Sequence, residues 1–196
     1  MKRLFDIVVS LVVLVIGFPF ALIVAAIIVA DSPGGVFYVQ NRVGRGNTDF
    51  RLLKFRTMRT DADKSGLLTV GGRDPRITRV GRFLRKYKID EFPQFLNILA
   101  GDMSVVGPRP EVRKYVDMYS PEQMKVLSVR PGLTDYASIK YVDENEILAK
   151  SDDSEQTYIN VIMPDKLRLN IEYIEKISMK EDLRIIFMTI SAVFRK

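Results

Sequence analysis

Residues 7–30 read Ile7-Val8-Val9-Ser10-Leu11-Val12-Val13-Leu14-Val15-Ile16-Gly17-Phe18-Pro19-Phe20-Ala21-Leu22-Ile23-Val24-Ala25-Ala26-Ile27-Ile28-Val29-Ala30, without one charged side chain. As a helix this run would measure roughly 36 Å, enough to cross a hydrocarbon core of about 30 Å. It is long for a signal peptide, and no small-x-small cleavage site precedes Asp31. Two geometries fit. One is a straight transmembrane helix. The other is a bent, re-entrant helix, because Pro19 removes the bond to the carbonyl of Val15 and favours a kink; each half would then be only about 17 Å long. Both flanks are basic, with Lys2 and Arg3 before the run and Arg42, Arg45, Arg51, Lys54 and Arg56 after it. Positive charge prefers the cytoplasmic side, which a re-entrant helix satisfies at both ends and a straight span at one.

Working outward, Asp31-Ser32-Pro33-Gly34-Gly35 ends the apolar run with breakers. Val36–Val39 and Phe50–Met58 have strand composition around a polar turn at 41–48, which predicts a hairpin. Residues 59–76 are polar, Gly-containing and long for a connection, which predicts a binding loop or lid. The spacing over 77–87 predicts a helix with Val80, Phe83, Leu84 and Tyr87 on one face and Arg79, Arg82, Arg85 and Lys86 opposite. Residues 94–99 predict a short helix stopped at Gly101. Ser120-Pro121-Glu122-Gln123 and Ser178-Met179-Lys180-Glu181 read as capped helix starts. The second opens a helix with Leu183, Ile186, Phe187, Ile190 and Phe194 on one face, accompanied by Arg184, Arg195 and Lys196. Such a helix packs on a core or lies in a membrane interface. The chain thus reads as an α+β protein, mainly helical with a short β-hairpin. Residues 1–32 form a membrane-inserted segment and 33–196 one further domain.

The chain contains no histidine and no cysteine. Zinc sites, thiolate nucleophiles, disulfides and the commonest general base are therefore excluded. A metal would have to be held by oxygen, which favours magnesium or manganese. The net charge of +6 implies an anionic partner, and charge alone does not choose between nucleic acid, lipid and a phosphorylated small molecule. No Walker A loop and no G-x-G-x-x-G is present.

Acid–base or nucleophilic work falls to carboxylates. Lys88-Ile89-Asp90-Glu91-Phe92-Pro93 carries an adjacent pair, directly after the cationic helix. An Asp that attacks phosphorus needs cations to neutralise the phosphate oxygens. Arg85 lies five residues upstream. Pro108-Arg109-Pro110 fixes two φ angles around an arginine, and Arg130-Pro131-Gly132 repeats the idea. On a strand, Lys54 and Arg56 would project to one face as an anion clamp. Each feature alone has a bland alternative: a solvated carboxylate pair, a structural turn, an exposed strand face.

In order, these pieces resemble the bacterial sugar transferases, the small monotopic phosphoglycosyl transferases. The resemblance covers nearly the whole chain. It runs from Lys2-Arg3-Leu4-Phe5-Asp6 through Gln40-Asn41-Arg42-Val43-Gly44, Lys54-Phe55-Arg56-Thr57-Met58, Asp74-Pro75-Arg76-Ile77-Thr78 and Gly81-Arg82-Phe83-Leu84-Arg85. Asp90-Glu91-Phe92-Pro93-Gln94, Gly101-Asp102-Met103-Ser104-Val105-Val106-Gly107-Pro108-Arg109-Pro110 and Val129-Arg130-Pro131-Gly132-Leu133-Thr134 follow, with the C-terminal amphipathic helix.

The resemblance implies transfer of a sugar 1-phosphate from a nucleoside diphosphate sugar, usually UDP-linked, to polyprenyl (undecaprenyl) phosphate, with release of UMP. It implies a ping-pong mechanism in which Asp90 becomes covalently phosphoglycosylated, with Glu91 assisting, either by helping to hold magnesium or by managing the proton of the incoming lipid phosphate. Asp90 and Glu91 would help hold Mg²⁺, and Arg85, Lys54, Arg56, Arg109 and Arg130 would bind substrate anions. It further implies a re-entrant N-terminal helix, an interfacial C-terminal helix, a lipid bilayer partner at the cytoplasmic face of the bacterial inner membrane, no nucleic acid, and room for a homodimer. The reaction would initiate glycoconjugate or exopolysaccharide assembly, in a minimal form lacking the multi-span extension of larger relatives. Two departures stand out. Phe18 occupies the place where many members have Ser before Pro, and Asp135-Tyr136-Ala137-Ser138-Ile139-Lys140 replaces a common Gly-Trp continuation. The competing readings are a non-enzymatic cationic adaptor for lipid or nucleic acid, and a phosphatase-like hydrolase with water as acceptor.

Overall fold

The computed structural model describes residues 1–60, 62, 71 and 74–194, the last without its side chain. Most of the expected loop at 59–76 lies outside these residues, as do Arg195, Lys196 and the side chain of Phe194. The apolar run forms one helix, α1 (Lys2–Asp31), roughly 45 Å long at 1.5 Å per residue. It remains helical through Pro19. Gly17 serves a different purpose from flexibility. A Cβ there would lie 2.4 Å from the Phe92 ring, so only glycine lets that ring reach the helix axis.

The rest of the chain lies along α1 from end to end. At the start, Arg3 donates to the carbonyls of Ile98 (2.5 Å) and Leu99 (3.0 Å). Lys2 meets Asp182, which also accepts from Tyr173. Further along, Ala21, Val24 and Ile28 pack with Phe55, Leu84 and Phe92. At the end, Asp31 accepts from the backbone N–H of Val80 at 3.2 Å. The opposite side, including Leu4, Val8, Leu11, Val15 and Leu22, is exposed.

Asp6 is buried in α1 and accepts from the Ser104 hydroxyl and the Val105 N–H, both at 3.0 Å. Asp6→Ala would orphan both donors. A buried unsatisfied donor costs about 1–3 kcal/mol, so thermal unfolding in detergent should show a clear loss of Tm, with Asp6→Asn restoring part of it.

The expected hairpin is present as β1 (Phe37–Val43) and β2 (Asp49–Phe55), antiparallel, with Phe37 opposite Phe55 and Val43 opposite Asp49. The turn contains Gly46 and Asn47, both at positive φ. Helices α2 (Arg79–Lys86) and α3 (Gln94–Ala100) follow as expected, the latter stopped by Gly101 in the left-handed region. On α2, Val80 and Leu84 turn inward, whereas Phe83 and Tyr87 stay exposed and meet each other at 4.9 Å with their rings tilted by 57°.

Next comes β3 (Ser104–Val106), which pairs in parallel with β4 (Gly132–Thr134). Between them lie α4 (Arg113–Val116) and a segment, Gln123–Ser128, expected as an α-helix but wound as 3-10. Its capping box forms, since Ser120 and Gln123 exchange hydrogen bonds. Confined between Pro121 and Pro131, it is too short to repay α-helix nucleation, and the tighter 3-10 winding suits such pieces.

Four helices that carry no clear sequence signal, α5 (Tyr136–Lys140), α6 (Glu144–Ala149), α7 (Ser154–Thr157) and α8 (Met163–Glu175), surround a core of Tyr115, Val126, Leu148, Tyr158, Ile162 and Leu167. A π-helical turn, Tyr158–Ile162, joins α7 to α8. A second core of Leu52, Ile98, Met103, Val106, Tyr173 and Ile185 lies under the hairpin and β3. The final helix, α9 (Met179–Phe194), buries Asp182 and Ile185, while Leu183, Phe187 and Ile190 face outward.

Candidate functional site

The hairpin, α2 and the turn before α3 enclose a cleft of about 1090 Å³. Its rim includes Arg59, Ala62 and Gly71 of the partly described loop, whose base is pinned by a bond from the Arg59 N–H to the Arg76 carbonyl at 2.9 Å.

Each wall is set by local chemistry. Thr78 caps α2, accepting from Gly81 N–H at 2.9 Å. Gly81 lies so close to the chain that a Cβ would come within 2.0 Å of the Thr57 carbonyl. One turn later Arg85 reaches back and donates from Nε to Thr57 Oγ1 at 2.9 Å. Lys88 then adopts the left-handed conformation, φ 57, and turns the chain into a 3-10 segment, Ile89–Glu91. A non-glycine residue there costs roughly 1–2 kcal/mol, which the surrounding contacts must sustain. The result is that Asp90 and Glu91 are both buried, yet both line the cleft.

The two carboxylates have opposite environments. Glu91 pairs with Arg109, and Lys54 and Lys88 approach at 3.8 and 3.9 Å. Burial alone would raise its pKa, but Arg109, Lys88 and Lys54 outweigh that and hold it well below the usual carboxylate range. Asp90 is raised: burial pushes it up, and the Glu91 charge adds to that against the pull of Lys54, Lys88 and Arg85. Its buried Oδ1 has no hydrogen-bond partner among the described residues. Glu91 is thus a fixed anion, and Asp90 a basic carboxylate with a free oxygen.

Arg109 is held by its backbone as well as by its charge. Its N–H donates to Asp135 Oδ2 at 3.0 Å. Asp135 is fully buried and caps α5 through Ser138 N–H at 2.6 Å. On the other side Arg42 donates to the Pro110 carbonyl at 3.0 Å and pairs with Glu111. Asp135 therefore gives the unusual 135–140 stretch a purpose, which is to fix the arginine loop.

Of the residues selected from sequence, Asp90, Glu91, Lys54, Arg85, Arg56 and Arg109 all line the cleft. Arg56 nonetheless spends its guanidinium on the end of α1, donating to the carbonyls of Pro33, Ser32 and Ile28. Arg130 is not part of the lining; its Nε donates to the Gly101 carbonyl at 2.8 Å. Gln40, Arg42 and Lys88 also line the cleft and were not singled out. Alternation along β1 places Gln40 and Arg42 on the Lys54 face, and that was the available signal. Among the described residues no three Asp, Glu, His or Cys side chains converge. The described residues alone therefore offer no all-protein metal cage. Two adjacent carboxylates suit a magnesium that takes its other ligands from a bound phosphate and water.

Lys54 supplies a pH signature. Burial lowers its pKa to about 8, despite the opposing Glu91 charge. Its cation is thus lost as pH rises through about 8, while an Asp90 acting as nucleophile would have to be ionised and would set an acid limb above the ordinary Asp value. The expected kcat/KM profile for an anionic substrate is bell-shaped with an alkaline limb near pH 8. Lys54→Arg, which keeps its charge, should remove that limb while retaining the acid one.

The whole chain, residues 1–196, matches the family model described as bacterial sugar transferase. An Aeromonas hydrophila UDP-N-acetylgalactosamine-undecaprenyl-phosphate N-acetylgalactosaminephosphotransferase is 38% identical over 98% of this chain and 43% of its own length. A Caulobacter vibrioides UDP-glucose:undecaprenyl-phosphate glucose-1-phosphate transferase is 35% identical, over 98% and 69%. A Rhizobium leguminosarum exopolysaccharide production protein, PSS, is 39% identical, over 97% and 93%. The chain spans less than half of the first of these relatives and nearly all of the last. With its cationic cleft, its paired carboxylates and a match from end to end, the chain belongs to the bacterial sugar transferase family.

Proposed function

We propose that this protein transfers a sugar 1-phosphate from a UDP-sugar to undecaprenyl phosphate in two steps through Asp90. Asp90 Oδ1 attacks the phosphorus bonded to the sugar; the bond from that phosphorus to the UMP oxygen breaks, and UMP leaves. A phosphate oxygen of the lipid then attacks the same phosphorus and the Asp90 carboxylate departs. The observation that carries this reading is the contrast inside one dipeptide: Asp90 is basic, with an Oδ1 that has no hydrogen-bond partner among the described residues, whereas Glu91 is neutralised by three cations. A raised pKa makes a carboxylate a better nucleophile, provided nearby cations screen the phosphate oxygens.

Lys54, Arg85, Lys88 and Arg109 would bind the diphosphate and hold the reacting phosphorus in line. Glu91, being far too acidic to exchange protons near neutrality, would orient Arg109 and Lys54. Mg²⁺, held by Asp90 and Glu91 together with the donor, would neutralise the diphosphate.

The membrane arrangement follows from the same frame. The domain touches α1 at Lys2, Gly17 and Asp31, so it occupies one side of the helix throughout. We read α1 as re-entrant, with its exposed apolar side in the lipid, and α9 as lying in the interface on Leu183, Phe187 and Ile190. The cleft would then open at the cytoplasmic face of the inner membrane, where the soluble donor meets the lipid.

The test is UMP release by the purified protein across UDP-sugars, with undecaprenyl phosphate and Mg²⁺. At least one donor should yield UMP and a lipid-linked product in equal amounts. No UMP from any donor would leave the adaptor reading, and UMP with free sugar phosphate but no lipid product would favour the hydrolase.

A further inference from the structure

The two faces of the hairpin differ sharply. Tyr38, Gln40 and Arg42 alternate on one face, and all line the cleft. Phe37 and Val39 alternate on the other and remain 55% and 37% exposed. Phe37 also borders the cleft, so it stands at the edge where the two faces meet.

Phe37 is one end of an aromatic row. Its ring stacks on its cross-strand partner Phe55 at 5.7 Å and 11°. Phe55 stacks on Phe92 at 6.2 Å and 3°. Phe92 immediately follows Glu91, and its edge fills the space left by Gly17 of α1. An uninterrupted apolar path therefore runs from the middle of the membrane helix, past the carboxylate pair, to the cleft rim. Leaving a large ring half exposed at its end forgoes burial that is favourable by roughly 25 cal/mol per Å².

We propose that the face formed by Phe37 and Val39 is the seat of the acceptor's prenyl chain, with its phosphate turned around Phe37 into the cleft. The inference rests on the reaction proposed above and assigns it a subsite. The occupant must be apolar over its length and anionic at one end, because the same rim joins an apolar face to a wall bearing Lys54, Arg85 and Lys88. The stacked row Phe37–Phe55–Phe92 joins this face to the core along α1 at Gly17, Ala21 and Val24, which sets the seat beside that apolar helix. A bilayer lipid resting on the hairpin and a second copy of this chain are the alternatives that the experiment must separate.

The chain has no tryptophan. Phe37→Trp therefore introduces a single reporter. Undecaprenyl phosphate added in detergent should shift its emission to the blue, saturably, whereas inorganic phosphate should not. In parallel, Phe37→Ser and Val39→Ser should raise the acceptor KM about tenfold or more, with an unchanged burst of UMP from donor alone; Phe37→Leu should restore most of the loss. An unchanged acceptor KM, with weaker vesicle binding or a smaller oligomer in its place, would overturn the proposal and assign the face to bilayer or to self-association. Emission that ignores the lipid would overturn it too. A wild-type protein that releases no UMP while the reporter still responds would refute the proposed reaction and leave the lipid seat standing.

Discussion

Asp90→Asn should reduce lipid-linked product formation by on the order of 10⁴-fold while leaving the fold intact. The carboxamide matches the carboxylate in shape. It also removes a buried charge whose pKa is already raised, so stability should hold or rise slightly. What disappears is the anionic charge that would make the residue 90 oxygen a nucleophile toward phosphorus. Incubated with donor alone, the wild-type protein should gain the mass of one sugar phosphate on the peptide containing Asp90, in step with one equivalent of UMP. The variant should gain none. Glu91→Gln provides the contrast. It leaves Arg109, Lys54 and Lys88 facing a neutral amide, so it should weaken donor binding and lower Tm but still permit the adduct. Normal turnover by Asp90→Asn, or an adduct on a different side chain, would remove Asp90 from the mechanism.

The reason this dipeptide could be read from sequence is that its neighbours are local. Lys88, Arg85 and the following aromatic and proline lie within a few residues, and short-range spacing survives folding. Arg109 was legible for a related reason, since flanking prolines announce a fixed turn. Arg56 and Arg130 show the limit. Both are arginines in family motifs, yet their guanidinium groups hold backbone carbonyls at the ends of helices α1 and α3. A sequence reveals that a cation is present, not which unpaired carbonyl will claim it. Helix α9 shows a second limit. Its apolar period was correct, but the period does not say which side meets the protein. The buried side carries Asp182 and Thr189, held by Lys2 and Thr134, partners 180 and 55 residues distant, and by Tyr173 on the preceding helix. The parallel pair β3–β4 was invisible for want of length: three residues each give no period to detect.

That same short pair supports the largest predicted effect on stability. A Cβ at Gly132 would lie 2.1 Å from the Gly107 nitrogen, 2.4 Å from its carbonyl oxygen and 2.6 Å from its Cα. All three are backbone atoms, so no side chain can rotate away. In Gly132→Ala the two strands must part. Three bonds would stretch: Gly132 N–H to the Pro108 carbonyl (2.9 Å), Ser104 N–H to the Pro131 carbonyl (2.8 Å) and Gly107 N–H to the Thr134 carbonyl (3.0 Å). Overpacking and two or three weakened bonds together should cost about 3–4 kcal/mol, or on the order of 10 °C in Tm for a chain of this size. Activity should fall further than folding alone would explain. Arg109 follows Gly107 by two residues, and Asp135, which fixes the Arg109 backbone, follows Gly132 by three. Gly46→Ala is the matched control. Its φ of 71° disfavours alanine by roughly 1–2 kcal/mol, but no atom lies within 4 Å of the added carbon. It should lower Tm modestly and spare kcat/KM. If Gly132→Ala melted with the wild type, the close approach of these strands could not be what holds Arg109 against Glu91.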